Sequence, residues 1–150
     1  MSNYATARPL QPQELAAWRG FLRAHTAVTR ELDAELLGEH GLALSSYEVL
    51  LFLANAPGGR MRMSELAEQV LISRSGLTRL ADRLARDGLI ERRPCSEDAR
   101  GWFAALTPEG RELFDRARRT HLDGVRRLFV SSFSDAELAA LAVCFERLGA

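Results

Sequence analysis

Arginine and hydroxyl side chains that could bind DNA recur at helical spacing between residues 73 and 86. At about 100° per residue, one helical face is apolar and carries Leu77, Leu80, Ala81 and Leu84. The candidate DNA-binding residues on or beside the opposite face are Ser73, Arg74, Ser75, Thr78, Arg79, Arg83 and Arg86. A guanidinium can bond to a guanine edge, which carries sequence information, or to a phosphate, which carries none. The pattern predicts a DNA-reading helix and leaves open which arginine takes which role.

Asp82 lies on the same polar face, where its carboxylate would repel DNA phosphates. We therefore expect Asp82 to orient a neighbouring arginine, either Arg79 or Arg86 on the same helix or an arginine of the following hairpin. A residue with this role would brace the DNA-binding surface without touching DNA.

The elements next to this helix are predicted to complete a winged helix-turn-helix. Residues 64–70 form a short helix capped by Ser64, and Ser73 caps the DNA-reading helix. Two helices joined by a few residues are the unit that places a recognition helix on DNA. Downstream, residues 89–93 and 102–106 are predicted strands around a charged loop, and they form a β wing.

Long helices are predicted on both sides of this lobe. From Pro12, apolar positions between Leu15 and Leu37 recur every three or four residues, and Gly38 and Gly41 are expected to end the helix. About 25 residues of helix span roughly 37 Å, which is more than a small core needs. Part of this stripe is therefore expected to pack on a second copy of the chain.

Cap residues mark the starts of the remaining helices. The signals are Ser45 with Glu48 for a helix from Ser46, Thr107 with Pro108 for a helix to about residue 130, and Ser134 with Glu137 for a last helix. The predicted fold is mainly α, with six helices and a small antiparallel β wing. It is a single domain, 1–150, with a winged helix-turn-helix lobe at 45–107 and dimerisation helices at 12–38 and 108–150.

Composition narrows the class of protein. The chain has 150 residues, 47% of them hydrophobic and 27% charged, as is typical of one globular domain. All 20 basic residues are arginines, balanced by 20 acids. The sequence contains no apolar run long enough for a signal peptide or a membrane span, and its two cysteines are too few for a disulfide framework. We therefore expect a cytoplasmic protein that does not bind membranes.

Several motifs resemble those of the MarR family, the multiple antibiotic resistance regulators. They are Leu77-Thr78-Arg79-Leu80, Asp82-Arg83-Leu84, Gly88 to Pro94, Asp98-Ala99-Arg100-Gly101 and Leu106 to Gly110. The resemblance implies a homodimer whose first and last helices interlock and whose two lobes grip a pseudo-palindromic operator in double-stranded DNA. It also implies a transcriptional regulator, usually a repressor, that a small phenolic or anionic effector can release.

The resemblance assigns roles to two residues of the wing loop. The recognition helix enters the major groove, and Arg100 enters the flanking minor groove, whose narrow form attracts arginine. Asp98 is then expected to brace the loop without touching DNA.

Other readings of the chain concern its cysteines and aromatic residues. Cys95, near Arg92 and Arg93, is a candidate redox switch because nearby cations lower the pKa of a thiol, although the family's peroxide sensors carry their cysteine near the first helix. Cys144 is expected to be a small core residue. A candidate effector cavity between the first and second helices would be lined by Trp18, Phe21, His25 and Tyr47.

No catalytic or cofactor-binding arrangement stands out. The three histidines, His25, His40 and His121, lie on separate segments without metal-ligand spacing, so we predict no metal and no cofactor. The serines lie mainly at helix caps, which argues against an enzyme. The alternative from another class is a winged-helix module that binds a protein partner, since a fold does not dictate its partner.

Overall fold

Helices account for most of the chain, which the computed structural model describes for residues 8–70, 72–95 and 101–149. The helices within these ranges are α1 (Pro12–His40), α2 (Leu44–Asn55), α3 (Met63–Gln69), α4 (Arg74–Arg86), α5 (Pro108–Leu128) and α6 (Asp135–Gly149). The strands are β1 (Arg60–Arg62), β2 (Ile90–Pro94) and β3 (Trp102–Leu106). The predicted fold class, six helices with a small antiparallel sheet, is confirmed.

The first helix starts and ends on local backbone signals. The Gln11 backbone N–H donates to Glu14 Oε2 at 2.7 Å, and Pro12 occupies the first helical position. At the other end Gly41 adopts a left-handed φ of 64° and closes the helix. The prediction that Gly38 helps to end the helix is wrong, because the helix continues through it to His40. A helical glycine weakens a helix without stopping it.

The second helix starts earlier than its sequence suggested. It begins at Leu44 rather than Ser46, because the Leu44 backbone N–H donates to Asp33 Oδ1 of α1 at 2.8 Å. This carboxylate from another helix replaces the predicted Ser45 cap. The start of α2 is therefore fixed by its packing against α1.

Three antiparallel strands form the sheet in the order β1-β3-β2. Its central strand pairs Ala104 with Met61 on one side and with Arg92 on the other. The strand β1 thus pairs along one edge of β3. It leads directly into α3, whose N-cap is Arg62 and not the predicted Ser64.

A single apolar core holds the lobe together. Its buried side chains come from α1 to α5 and the sheet, and they include Leu36, Leu50, Leu53, Leu66, Leu77, Leu84, Ile90 and Phe114. Cap bonds fix the two helices that follow turns: Ser73 Oγ accepts from Gly76 N–H and Thr107 Oγ1 from Gly110 N–H. Both predicted caps are confirmed. Each cap fixes the position at which its helix begins, and therefore which side chains of the helix face the core.

The outer helices are covered far less. In α1 only Leu32 and Leu36 are buried, and α6 has no buried residue. The capping box at the start of α6 is confirmed, since Ser134 N–H donates to Glu137 Oε2 at 2.8 Å. Cys144 is exposed, so its predicted place in the core is wrong. The reason is that none of the described residues of the chain covers that side of α6.

Candidate nucleic-acid interface

Helix α4 presents the polar face that its sequence predicted. Leu77, Leu80, Ala81 and Leu84 are buried on the core side. The predicted DNA-binding residues of this segment, Ser73, Arg74, Ser75, Thr78, Arg79, Arg83 and Arg86, are all exposed. The Thr78 hydroxyl donates to the Arg74 carbonyl at 2.9 Å, so its lone pairs remain available to an incoming donor. The face combines cations with small hydroxyls, which suits both phosphates and base edges.

Asp82 joins this helix to the wing. Its Oδ1 lies 2.5 Å from Arg92 Nη1 on β2. Of the expected partners, the structure therefore selects an arginine of the hairpin and not Arg79 or Arg86. Arg92 also places its guanidinium carbon 5.4 Å from the Trp102 ring centroid. The pair therefore connects the recognition helix to both strands of the hairpin.

The tip of the wing, residues 96–100, lies outside the described residues. The predictions for Arg100 and Asp98 fall there and stay predictions. The adjoining backbone is described: Cys95 N–H donates to the Gly101 carbonyl at 2.9 Å. The two strands are thus still paired where the loop begins and ends.

A cleft of about 370 Å³ opens between α4 and the wing. Its basic side chains are Arg62, Arg74 and Arg92, and Thr78 and Trp102 also line it. Three of the residues that line the cleft were not among those predicted from the sequence: Arg62, Arg92 and Trp102. The period of two along β2 could have indicated Arg92, because it places that side chain on the same face as the buried Ile90.

The proposed effector residues do not form one cavity. Phe21 and His25 line an apolar groove of about 450 Å³ between α1 and α6. Trp18 lies beside it, with its ring centroid 6.0 Å from that of Phe21. Tyr47 is elsewhere, fully buried in the core of the lobe, so its assignment to this cavity is wrong. The groove also forms between the first and last helices, not between the first and second.

Tyr47 instead belongs to a buried contact between α2 and α5. Its ring stacks on His121 with centroids 4.5 Å apart and on Phe114 at 5.6 Å. Burial raises the pKa of Tyr47, an effect that the Arg118 charge opposes, and burial lowers the pKa of His121. His121 Nδ1 is buried and has no hydrogen-bond partner among the described residues. These shifts favour the neutral forms of both rings.

The cysteines and histidines show no sensor or metal arrangement. Cys95 is buried at the base of the wing, whereas a reactive thiol needs access to its oxidant. The burial of Cys95 disfavours the redox alternative. His40 Nε2 lies 2.8 Å from Thr120 Oγ1 and serves a contact between α1 and α5. Within the described ranges, no three His, Cys, Asp or Glu side chains group as metal ligands would.

None of the described helices alone is long and apolar enough to cross a membrane, and α5 and α6 meet that criterion only when added together across a bend of 104°.

These features define a class of protein: a winged helix-turn-helix with a basic recognition helix and with outer helices whose apolar faces are uncovered. Residues 40–101 match the model of the MarR family. AbsC, a MarR family transcriptional regulator from Streptomyces coelicolor, is 33% identical, with 95% of this chain and 96% of AbsC covered and a TM-score of 0.91. The chain therefore belongs to the MarR family, and it is a DNA-binding transcriptional regulator.

Two further relatives support this membership. Sco3205, a MarR family transcriptional regulator from Streptomyces coelicolor solved in complex with DNA, is 33% identical over 95% of this chain and 89% of that one, with a TM-score of 0.91. The HTH-type transcriptional repressor YetL of Bacillus subtilis (strain 168) is 31% identical over 112 residues, 72% of this chain and 66% of YetL. These relatives are transcriptional regulators and not enzymes.

Proposed function

We propose that the chain is a cytoplasmic, homodimeric repressor that binds a pseudo-palindromic operator. The observation that carries this proposal is the exposed basic face of α4 on a lobe whose core is complete. This face does not contribute to the packing of the lobe. It fits the major groove of DNA, which admits an α-helix. Sco3205, which was solved in complex with DNA, supports DNA as the partner, and YetL, which is a transcriptional repressor, supports repression.

In this proposal the two readers of each lobe have separate tasks. Arg79, Arg83 and Arg86 face the major groove, where a guanidinium on a guanine edge contributes about 1–3 kcal/mol of discrimination. Arg100 enters the minor groove, and the strands that carry its loop are held to α4 by the Asp82–Arg92 ion pair. The pair fixes the angle between the readers.

The outer helices, whose apolar faces are exposed, would form the interface between the two copies of the dimer. The groove between α1 and α6 is lined almost entirely by apolar side chains, among them Phe21, Phe129, Leu141 and Phe145. A helix of a second copy would fill it and remove that surface from water. Two joined lobes would then reach half-sites about one helical turn apart, roughly 34–36 Å. The distance between the lobes would decide whether both bind.

A small effector would act on the same distance. Phe21 and His25 remain candidate effector contacts, since an aromatic compound could bind in the part of the groove that the partner helix leaves open. A ligand that binds one spacing of the lobes better than another shifts the dimer toward that spacing. Release from DNA follows if the favoured spacing no longer matches the half-sites.

The test is selection of bound fragments from random or genomic DNA, followed by titration of the selected duplex. We expect Arg79→Ala and Arg100→Ala to lose affinity for this duplex while helicity and dimerisation stay normal. Arg116→Ala on α5, which removes an exposed arginine paired with Glu112, is the matched control. A screen of phenolic and anionic compounds for release then tests the effector.

Two outcomes would overturn the proposal. Unchanged affinity of Arg100→Ala would reject the wing assignment. Binding that is insensitive to salt would reject DNA as the partner and favour a protein-binding module, because DNA binding releases counterions.

A further inference from the structure

Two arginines of β1 are held against one aromatic ring of the sheet. The guanidinium carbons of Arg60 and Arg62 lie 5.4 and 5.5 Å from the ring centroid of Phe103. Residues two apart on a strand point to the same face, and Arg62 is the register partner of Phe103 on β3. Cation–π attraction of about 0.5–1 kcal/mol at exposed sites keeps each guanidinium over the ring.

A guanidinium that contacts an aromatic ring can still donate hydrogen bonds to a second group. Cation–π contact uses the flat face of the group, whereas its five N–H donors lie in its plane. A side chain that is already restricted by the ring loses less entropy when it binds a second group. Arg60 and Arg62 are thus prepared to donate hydrogen bonds to an anion.

The charge of these two arginines also differs from that of their neighbours. On β2, Arg92 pairs with Asp82 and Arg93 pairs with Glu91. Neither Arg60 nor Arg62 has a carboxylate within ion-pair distance in the part of the chain that the structure describes. The β1 edge of the sheet therefore carries a net positive charge that the β2 edge lacks.

Of the two β1 arginines, Arg62 reaches the recognition surface. Arg62 lines the 370 Å³ cleft together with Arg74 and Thr78 of α4. A duplex that lies against α4 thus passes close to the edge of β1. Phosphate contacts of this kind flank the groove-reading element and set its register without reading sequence.

We propose that Arg60 and Arg62, supported by Phe103, bind phosphates of the duplex beside the stretch that α4 reads. This inference rests on the proposed function, since it assumes that DNA lies on α4. It adds a backbone anchor on β1 to the major-groove and minor-groove readers. The anchor supplies affinity and orientation for any sequence, and α4 supplies the choice of sequence.

The experiment compares salt dependence in charge-matched variants, using the duplex selected by the wild-type protein and a scrambled duplex. For R60Q/R62Q we expect the slope of log dimer affinity against log salt to become shallower by about 3.6, because the dimer loses four phosphate contacts at roughly 0.9 each. Affinity should fall by a similar factor on both duplexes. R116Q/R126Q removes two arginines from α5 and should leave the slope near the wild-type value.

Conservative variants separate the role in binding from a role in folding. R60K/R62K keeps both charges and should retain the wild-type slope. Arg60→Gln alone, at an exposed position, should lose about 1.8 units of slope, because the dimer loses two phosphate contacts. Phe103→Leu keeps both charges but removes the ring, so we expect weaker binding with little change in slope. Circular dichroism of each variant verifies the fold.

The results distinguish this inference from the proposed function. If the wild-type protein binds DNA and R60Q/R62Q has the same slope as R116Q/R126Q, the anchor is wrong and the proposed function stands. A loss confined to the selected duplex also overturns the anchor, because it would indicate base reading. If the wild-type protein binds neither duplex, both proposals fail.

Discussion

The lobe and the outer helices differ in how much apolar surface a single copy of the chain buries. In the lobe, Leu50, Leu53 and Leu66 have no exposed surface at all. In α6, Phe145 remains 42% and Leu148 76% exposed. Packing within one chain is enough for the lobe, whereas the outer helices require another molecule to cover them. We therefore expect recognition and assembly to be encoded in separate parts of the chain.

The two regions meet at a tightly bonded junction. Thr107 Oγ1 donates to the Gly88 carbonyl at 2.7 Å, and the Thr107 backbone N–H donates to the Leu89 carbonyl at 3.2 Å. This junction ties the start of α5 to the end of the recognition helix. We therefore expect a change in the spacing of the outer helices to move the lobe as a unit.

The largest expected effect is the loss of the dimer when a charge is placed in the groove. Phe145→Asp would put a carboxylate among apolar side chains, and burying such a charge costs several kcal/mol. We expect the dimer dissociation constant to rise at least about 100-fold, since 1.4 kcal/mol corresponds to a factor of ten. Sedimentation velocity measures this change, and operator affinity should fall with it.

Ala139→Asp is the control for that variant. Ala139 is exposed on α6, about 120° around the helix from Phe145 at 100° per residue, and it does not line the groove. It adds the same charge to the same helix. If both variants stay dimeric at micromolar concentration, the outer helices do not assemble through this groove, and the contrast between the two regions fails.

The second largest effect is expected from a side chain added at Gly110, where the start of α5 packs against the lobe. A Cβ at Gly110 would lie 2.0 Å from the Leu89 carbonyl oxygen and 2.9 Å from Leu106 Cδ1. Gly110→Ala should therefore lower the free energy of unfolding by about 1–3 kcal/mol or more, as overpacking does. Urea denaturation measures the difference.

A glycine in α1 provides the opposite result for comparison. Gly38 lies in a helix with nothing within 4 Å of its added Cβ. Gly38→Ala should raise the free energy of unfolding by about 0.5–1 kcal/mol. Equal effects of the two substitutions would show that the junction tolerates a side chain.

The third prediction concerns the link between the readers, and its effect is smaller. Asp82→Asn removes a half-exposed ion pair, so stability should fall by no more than about 1 kcal/mol. Binding to unrelated DNA should strengthen, because an acid leaves the face that meets phosphates, while binding to the operator weakens. We expect the ratio of specific to non-specific affinity to fall about fivefold, which corresponds to about 1 kcal/mol. Glu91→Gln, which frees Arg93, should leave this ratio unchanged, and an equal drop in both variants would contradict the bracing role.

The features that sequence predicted correctly are local ones. The two faces of α4 follow from periodicity within thirteen residues, and the caps at Ser73 and Thr107 involve an N–H three residues away. Such interactions are determined by neighbouring residues alone. Periodicity and cap motifs are therefore sufficient to find them.

The features that sequence missed depend on contacts between elements. The start of α2 is fixed by Asp33 of another helix, and the burial of Tyr47 depends on how α5 packs on α2. The sequence allowed Asp82 to pair with Arg79, with Arg86 or with an arginine of the hairpin. The pairing with Arg92 depends on the register of β2 in the sheet. Residue spacing carries no information on these distances, because they arise from packing.

The smallest expected effect is a pH dependence at the seam between the two regions. Burial lowers the pKa of His121 below its ordinary value of about 6.5, so the unfolded chain binds this proton more readily than the folded one. The free energy of unfolding should therefore decrease as the pH falls below about 6.5, where the unfolded chain takes up the proton and the folded chain does not. His121→Phe keeps an aromatic ring against Tyr47 but cannot take up the proton, so it should remove this part of the slope. Denaturant titrations at several pH values test this. If the His121→Phe slope equals that of the wild type, the seam does not exclude charge, and the packing between α2 and α5 is more open than the stacked rings indicate.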